Sequence, residues 1–84
     1  MTEFAIVNVT WDGLNGDLKD LVSFQATNQQ IINWVTEAVR SGSVNGIPAY
    51  ANADFSSFHV DRFEATDNRT TGLFQVRPKT PFGS

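Results

Sequence analysis

Cysteine is absent from the 84 residues, which excludes disulfides, a thiolate zinc site and a thiol nucleophile. Small secreted domains usually depend on such staples, so the absence favours a cytoplasmic location. There is a single histidine, His59. A Ser-His-Asp triad, a two-histidine metal site or a histidine acid–base pair would each hang on that one ring, which reads instead as a surface side chain. No stretch approaches the roughly 18 consecutive apolar residues of a membrane span, and the start of the chain lacks a basic region followed by an apolar run. A soluble protein with no membrane partner is expected. The acidic run Asp54, Asp61, Glu64 and Asp67 lacks the D-x-D-x-D-G spacing of a calcium loop and reads as a solvated face. The glycines never form a phosphate loop with a Gly-Lys-Ser/Thr ending. Asn68-Arg69-Thr70 fits the glycosylation acceptor pattern, but without a secretory signal it has no mechanism. The residues thus offer no metal, no cofactor and no catalytic constellation.

Acid is missing from one end. All nine carboxylates lie at or before Asp67 with only three cations, so residues 1–68 carry −6 within a total of −3. Residues 69–84 carry Arg69, Arg77 and Lys79, a charge of +3. An acidic body argues against nucleic acid, because neutralising phosphates takes clustered Lys and Arg. The basic end reads either as ordinary solvated side chains or as a segment that steers toward an acidic partner.

What the chain does have is aromatics, ten in all, seven of them Phe, with only 18% charged residues. Those proportions describe one small domain with a real core. Residues 27–42 hold its one convincing helix. Thr27 and Gln30 form a T-x-x-Q capping box, Ser41-Gly42 supplies the stop, and Ile31, Trp34, Val35, Ala38 and Val39 space out one apolar stripe. Asn33, Thr36, Glu37 and Arg40 turn away.

Everything else reads as strand or turn. Phe4–Trp11 has apolar residues in both alternating sets and belongs in the middle of a sheet. Asp-Gly and Asn-Gly turn the chain between Asp12 and Asp17. A second strand, from about Leu18 to Ala26, places Val22, Phe24 and Ala26 on one face and suits an edge. Residues 41–57 form a long connection expected to pack through Val44, Ile47 and Tyr50, with room for a short irregular strand. Phe58–Ala65 alternates Phe58, Val60 and Arg62 with His59, Asp61 and Phe63. Gly72–Arg77 is the last strand, ended by Pro78. Residues 1–77 are then the domain and residues 78–84 an exposed, flexible tail. The order strand, strand, helix, strand, strand predicts an α+β fold. One helix packs across a mixed sheet of four to five strands, with the first and last strands parallel at its centre.

This pattern, from FAIVNVTW through the Thr27-capped helix and Gly46-Ile47-Pro48 to a last strand running into a basic tail, resembles a small ubiquitin-like β-grasp protein of the bacterial modifier type. The resemblance implies a ββαββ fold. It also implies acyl transfer performed by an activating enzyme, a conjugating enzyme and a processing peptidase on a carboxylate that this chain supplies. Gly83 matches the conjugated terminus, once Ser84 is removed, and Arg77, Lys79 and Phe82 lie in the tail those enzymes would recognise. Lys19 and Lys79 are the candidate acceptor lysines. Phe82 departs from the pattern by standing where such tails carry a second glycine, and the alternative is that Gly83-Ser84 is a cloning remnant. The other reading of the same fold is a binding or adaptor module without conjugation, holding a protein partner through a sheet edge or an exposed aromatic surface.

Overall fold

The computed structural model describes residues 2–79. Its elements are β1 (Phe4–Trp11), β2 (Leu14–Asp17), β3 (Val22–Ser23), α1 (Asn28–Ser41), β4 (His59–Phe63) and β5 (Gly72–Arg77). The strands make one mixed five-stranded sheet in the order β2-β1-β5-β4, with β3 also pairing β1. β1 is central and parallel to β5, from Ala5↔Gly72 to Val9↔Val76. Its two other neighbours, β2 and β3, and the β4–β5 pair are antiparallel. Among the described residues no helix is long and apolar enough to cross a membrane.

Period two in β1 sets the layers. Ala5, Val7 and Val9 are fully buried, as are Phe74 and Val76 of β5, and the helix lays Ile31, Val35 and Val39 on the same face. Phe4, Ile6, Asn8 and Thr10 point to the opposite face, which no element covers among the described residues. The helix begins where its capping box says. Gln30 N donates to Thr27 Oγ1 (3.1 Å) and Thr27 N to Gln30 Oε1 (2.9 Å), while Gly42 ends it in the left-handed conformation.

Three expectations need correction. The second strand does not run from Leu18 to Ala26. Asp12 (φ 52°) and Gly13 (φ 76°) complete a two-residue turn, so β2 starts at Leu14 and absorbs Asn15-Gly16. The chain then departs from β1 and returns only as the two-residue β3, which puts three strands before the helix. Val22, Phe24 and Ala26 nevertheless face inward as their alternation predicts, Phe24 stacking on Phe74 at 5.3 Å. Second, the buried arc of α1 is rotated: Ile32 is buried and Trp34 is 36% exposed. The segment carrying Asp54, Phe55 and Ser56 comes up beside Ile32, whereas Trp34 borders a groove with Leu18 and Leu21. Third, the connection after the helix contains no strand. Val44 and Ile47 are buried as expected, but Tyr50 is half-exposed against Trp11 (5.0 Å), and fully buried Phe55 fills the core. Arg40 Nε fastens this segment to the helix through Ala53 O at 2.9 Å.

Candidate interaction surface

The uncovered face of the sheet is divided in two by register. Phe63, Leu73 and Ile6 form one row across β4, β5 and β1, with Phe4 beyond Ile6 on β1. Phe4 is 51% and Phe63 44% exposed, large values for rings of that size on an ordered strand. One step along, Asp61, Gln75, Asn8 and Asp17 make the next row, wholly polar. Asn8 and Asn15 exchange side-chain hydrogen bonds at 3.0 and 2.9 Å, Asn8 also donates to Asp17 Oδ1 at 2.7 Å, and Asn15 donates to Thr10 Oγ1 at 3.0 Å. That carboxamide ladder satisfies its own donors and stiffens the β1–β2 hairpin.

The polar half ends where β5 ends. Arg77 is paired through Nη2 with Asp61, whose other oxygen lies 2.9 Å from His59 Nε2. The Arg77 hydrogen bond holds the Asp61 carboxyl below its ordinary range against the opposing effect of desolvation, and the nearby His59 adds to the lowering. Asp54 is lowered too, chiefly because Ser56 N donates to its Oδ1 at 2.9 Å. Asp54, Asp61, Glu64 and Asp67 do not converge, and no group of three or more potential metal ligands occurs among the described residues.

Of the residues expected to carry function, Arg77 is anchored to β4 rather than free, and Lys79 follows exposed beyond Pro78. Lys19 is exposed in the β2–β3 connection on the opposite flank of the sheet, so the structure does not bring it to Arg77 or Lys79. Gly83 and Phe82, and with them the proposed removal of Ser84, lie outside the described residues. His59 is exposed on the outer face as expected.

The sequence reading missed Arg69. In the turn between β4 and β5, Thr66 and Arg69 pair as an isolated bridge, with backbone bonds of 2.8 and 3.2 Å. Arg69 Nε then donates to Thr71 O (2.9 Å) and Nη2 to Glu64 O (3.1 Å). Its guanidinium lines a shallow groove of about 620 Å³ with Phe63, Leu73 and Gln75. The only signal in the chain was its place in the basic end. No protein-family model matches the chain, and neither the curated proteins nor the solved structures contain a significant match to it.

Proposed function

We propose that this is a β-grasp protein that works by being recognised, its partners docking on the open face of the sheet. The observation that supports this is the row Phe63–Leu73–Ile6 with Phe4, an apolar strip that no element covers among the described residues. Because these side chains are about half buried already, covering the rest would gain at most about 1–1.5 kcal/mol each, which a docking partner would recover. The chain would contribute a surface and no bond-making group. A photo-crosslinking residue placed at position 4 or 63 in cells should give discrete adducts that the same residue at exposed Glu37 does not. Adducts equally frequent from Glu37, or none from the sheet face, would exclude the reading.

A second reading, the ubiquitin-like modifier, has one observation in its favour. β5 is central, hydrogen-bonded on both sides and ended by Pro78, so the chain leaves the body from the middle of the sheet. A tail launched there could carry the Gly83 carboxylate, exposed by a peptidase that removes Ser84, into an activating enzyme. Adenylation by ATP with release of pyrophosphate would be followed by transfer to a thiol with loss of AMP, and then to an amine such as Lys19 or Lys79 of another copy with release of the thiol. Intact mass after expression with an activating enzyme and ATP tests this. Loss of Ser84 or attachment through Gly83 supports it, and an unaltered chain eliminates it.

A further inference from the structure

Among the described residues Arg69 is a positioned cation without an anion. Its two hydrogen bonds go to neutral carbonyls, and among the described residues the ion pairs all converge on Asp61, so no carboxylate oxygen lies within 4.0 Å of it. A guanidinium has five N–H donors, and two carbonyls leave it capacity to spare. Of the six Lys and Arg side chains only Arg77 is in an ion pair among the described residues, so what sets Arg69 apart is a guanidinium held by two backbone carbonyls beside an apolar row.

The surroundings say what would complete it. Arg62, which lines the same groove, is spent: its donors go to Phe24 O, Ala26 O and Asn28 Oδ1. Glu64 is the one carboxylate of the lining, set against the guanidiniums of Arg62 and Arg69, so the lining carries a formal charge of +1. Phe63 and Leu73 run from the same groove into the apolar row with Ile6. A fixed positive charge therefore sits at the end of an apolar strip.

We propose that this groove binds an acidic, apolar peptide segment, with a carboxylate on Arg69 and a bulky side chain on Phe63, Leu73 and Ile6. The proposal rests on the open face being the contact surface and adds the chemical class of its partner. A charge-assisted bond to a guanidinium already held in place costs little further side-chain ordering, and apolar cover beside it excludes the water that would screen the pair. Because the whole chain carries −3, acidic peptides are repelled in general, so retaining one requires a local cation.

The test is fluorescence anisotropy with the full chain and a labelled Glu-Leu-Glu-Phe-Glu-Leu-Glu peptide, alongside its counterpart with Gln in place of every Glu. Saturable binding is expected for the acidic peptide. It should weaken about tenfold in Arg69→Gln, in line with the loss of one charge-assisted bond, and recover in part in Arg69→Lys. The Gln peptide should bind about tenfold more weakly to the unaltered protein, a comparison that stands even if Arg69→Gln unfolds. Absence of saturation by the acidic peptide overturns the proposal. So does equal binding of the two peptides; if Phe63→Ser then abolishes both, the contact face survives and only its charge preference is lost.

Discussion

The Arg62 guanidinium lies 4.8 Å from the centroid of the Phe74 ring while donating to the carbonyl oxygen of Ala26 at 2.5 Å. A charged side chain on the inward face of edge strand β4 thereby covers the aromatic core and ties it to the start of α1 through Asn28. Arg62→Ala should cost about 1–2 kcal/mol, lowering the melting temperature by about 5–10 °C. Arg62→Lys should recover less than half, because an ammonium cannot span three acceptors in one plane. Thermal melts of the two variants check this, and a lysine variant as stable as the parent would show that charge alone matters.

The two hairpin glycines should respond differently to alanine. A Cβ at Gly16 would meet Asn45 O at 2.0 Å and Val44 Cγ1 at 2.9 Å, whereas one at Gly13 meets nothing within 4 Å and is opposed only by its φ of +76°. Gly13→Ala should cost about 1 kcal/mol, and Gly16→Ala about 3 kcal/mol as backbone moves aside. Urea unfolding measures both; equal losses would mean that Asn45 is not where β2 meets the 43–58 segment.

Phe55 is fully buried, with Phe58 edge-on at 4.6 Å and Trp11 at 6.2 Å. Phe55→Ala should remove about 3–5 kcal/mol, a large share of the stability of a domain this size. Phe58→Ala, at a half-buried site, should cost visibly less. Equal denaturation midpoints would contradict the burial.

Along the helix, Val35→Asp should unfold the protein, since the charge would be buried without a partner. Trp34→Asp should stay folded with a loss near 1 kcal/mol, a reversal of what the spacing alone suggests. Circular dichroism at 25 °C distinguishes them.

Because Arg77 depresses the Asp61 carboxyl in the folded state, the unfolded chain takes up that proton first as pH falls. The pair's contribution is complete above the ordinary value of 3.8 and is lost as pH drops through the lower folded value. A carboxyl titration by NMR should place the Asp61 midpoint below 3.8, and Arg77→Gln should raise it. An unchanged midpoint in that variant would remove Arg77 as the cause. The effect on stability should be small and salt-sensitive, since the pair is at the surface.

How much of this could be read from the chain depended on how local the cause was. The helix ends were legible because Thr27, Gln30 and Gly42 act within one turn of their own positions. The pairing of β1 with β5 was legible because one helix between two antiparallel pairs must carry the chain across the sheet, which brings the first and last strands together in parallel. Asp12-Gly13 and Asn15-Gly16 are equivalent as dipeptides, and what separates them is Asn45, thirty residues away. Phe55 sits among Ala53, Asp54, Ser56 and Ser57 with no periodicity to mark it. The groove at Arg69 exists only after β4 and β5 bring Phe63 and Leu73 beside it, so neither spacing nor composition could disclose it.

The parallel pairing of β1 with β5 also decides how the protein would bear load. β1 starts at one end of the sheet and β5 finishes at the other, so tension applied between Phe4 and Arg77 acts along the strands and in opposite directions. The five register pairs from Ala5↔Gly72 to Val9↔Val76 would be strained together in shear rather than opened one after another, and the evenly spaced bonds of a parallel ladder share that strain. Pulling from Phe63 instead would peel β4 from the edge pair by pair. The same small domain should thus resist force strongly along its own chain axis and yield readily when pulled from its flank.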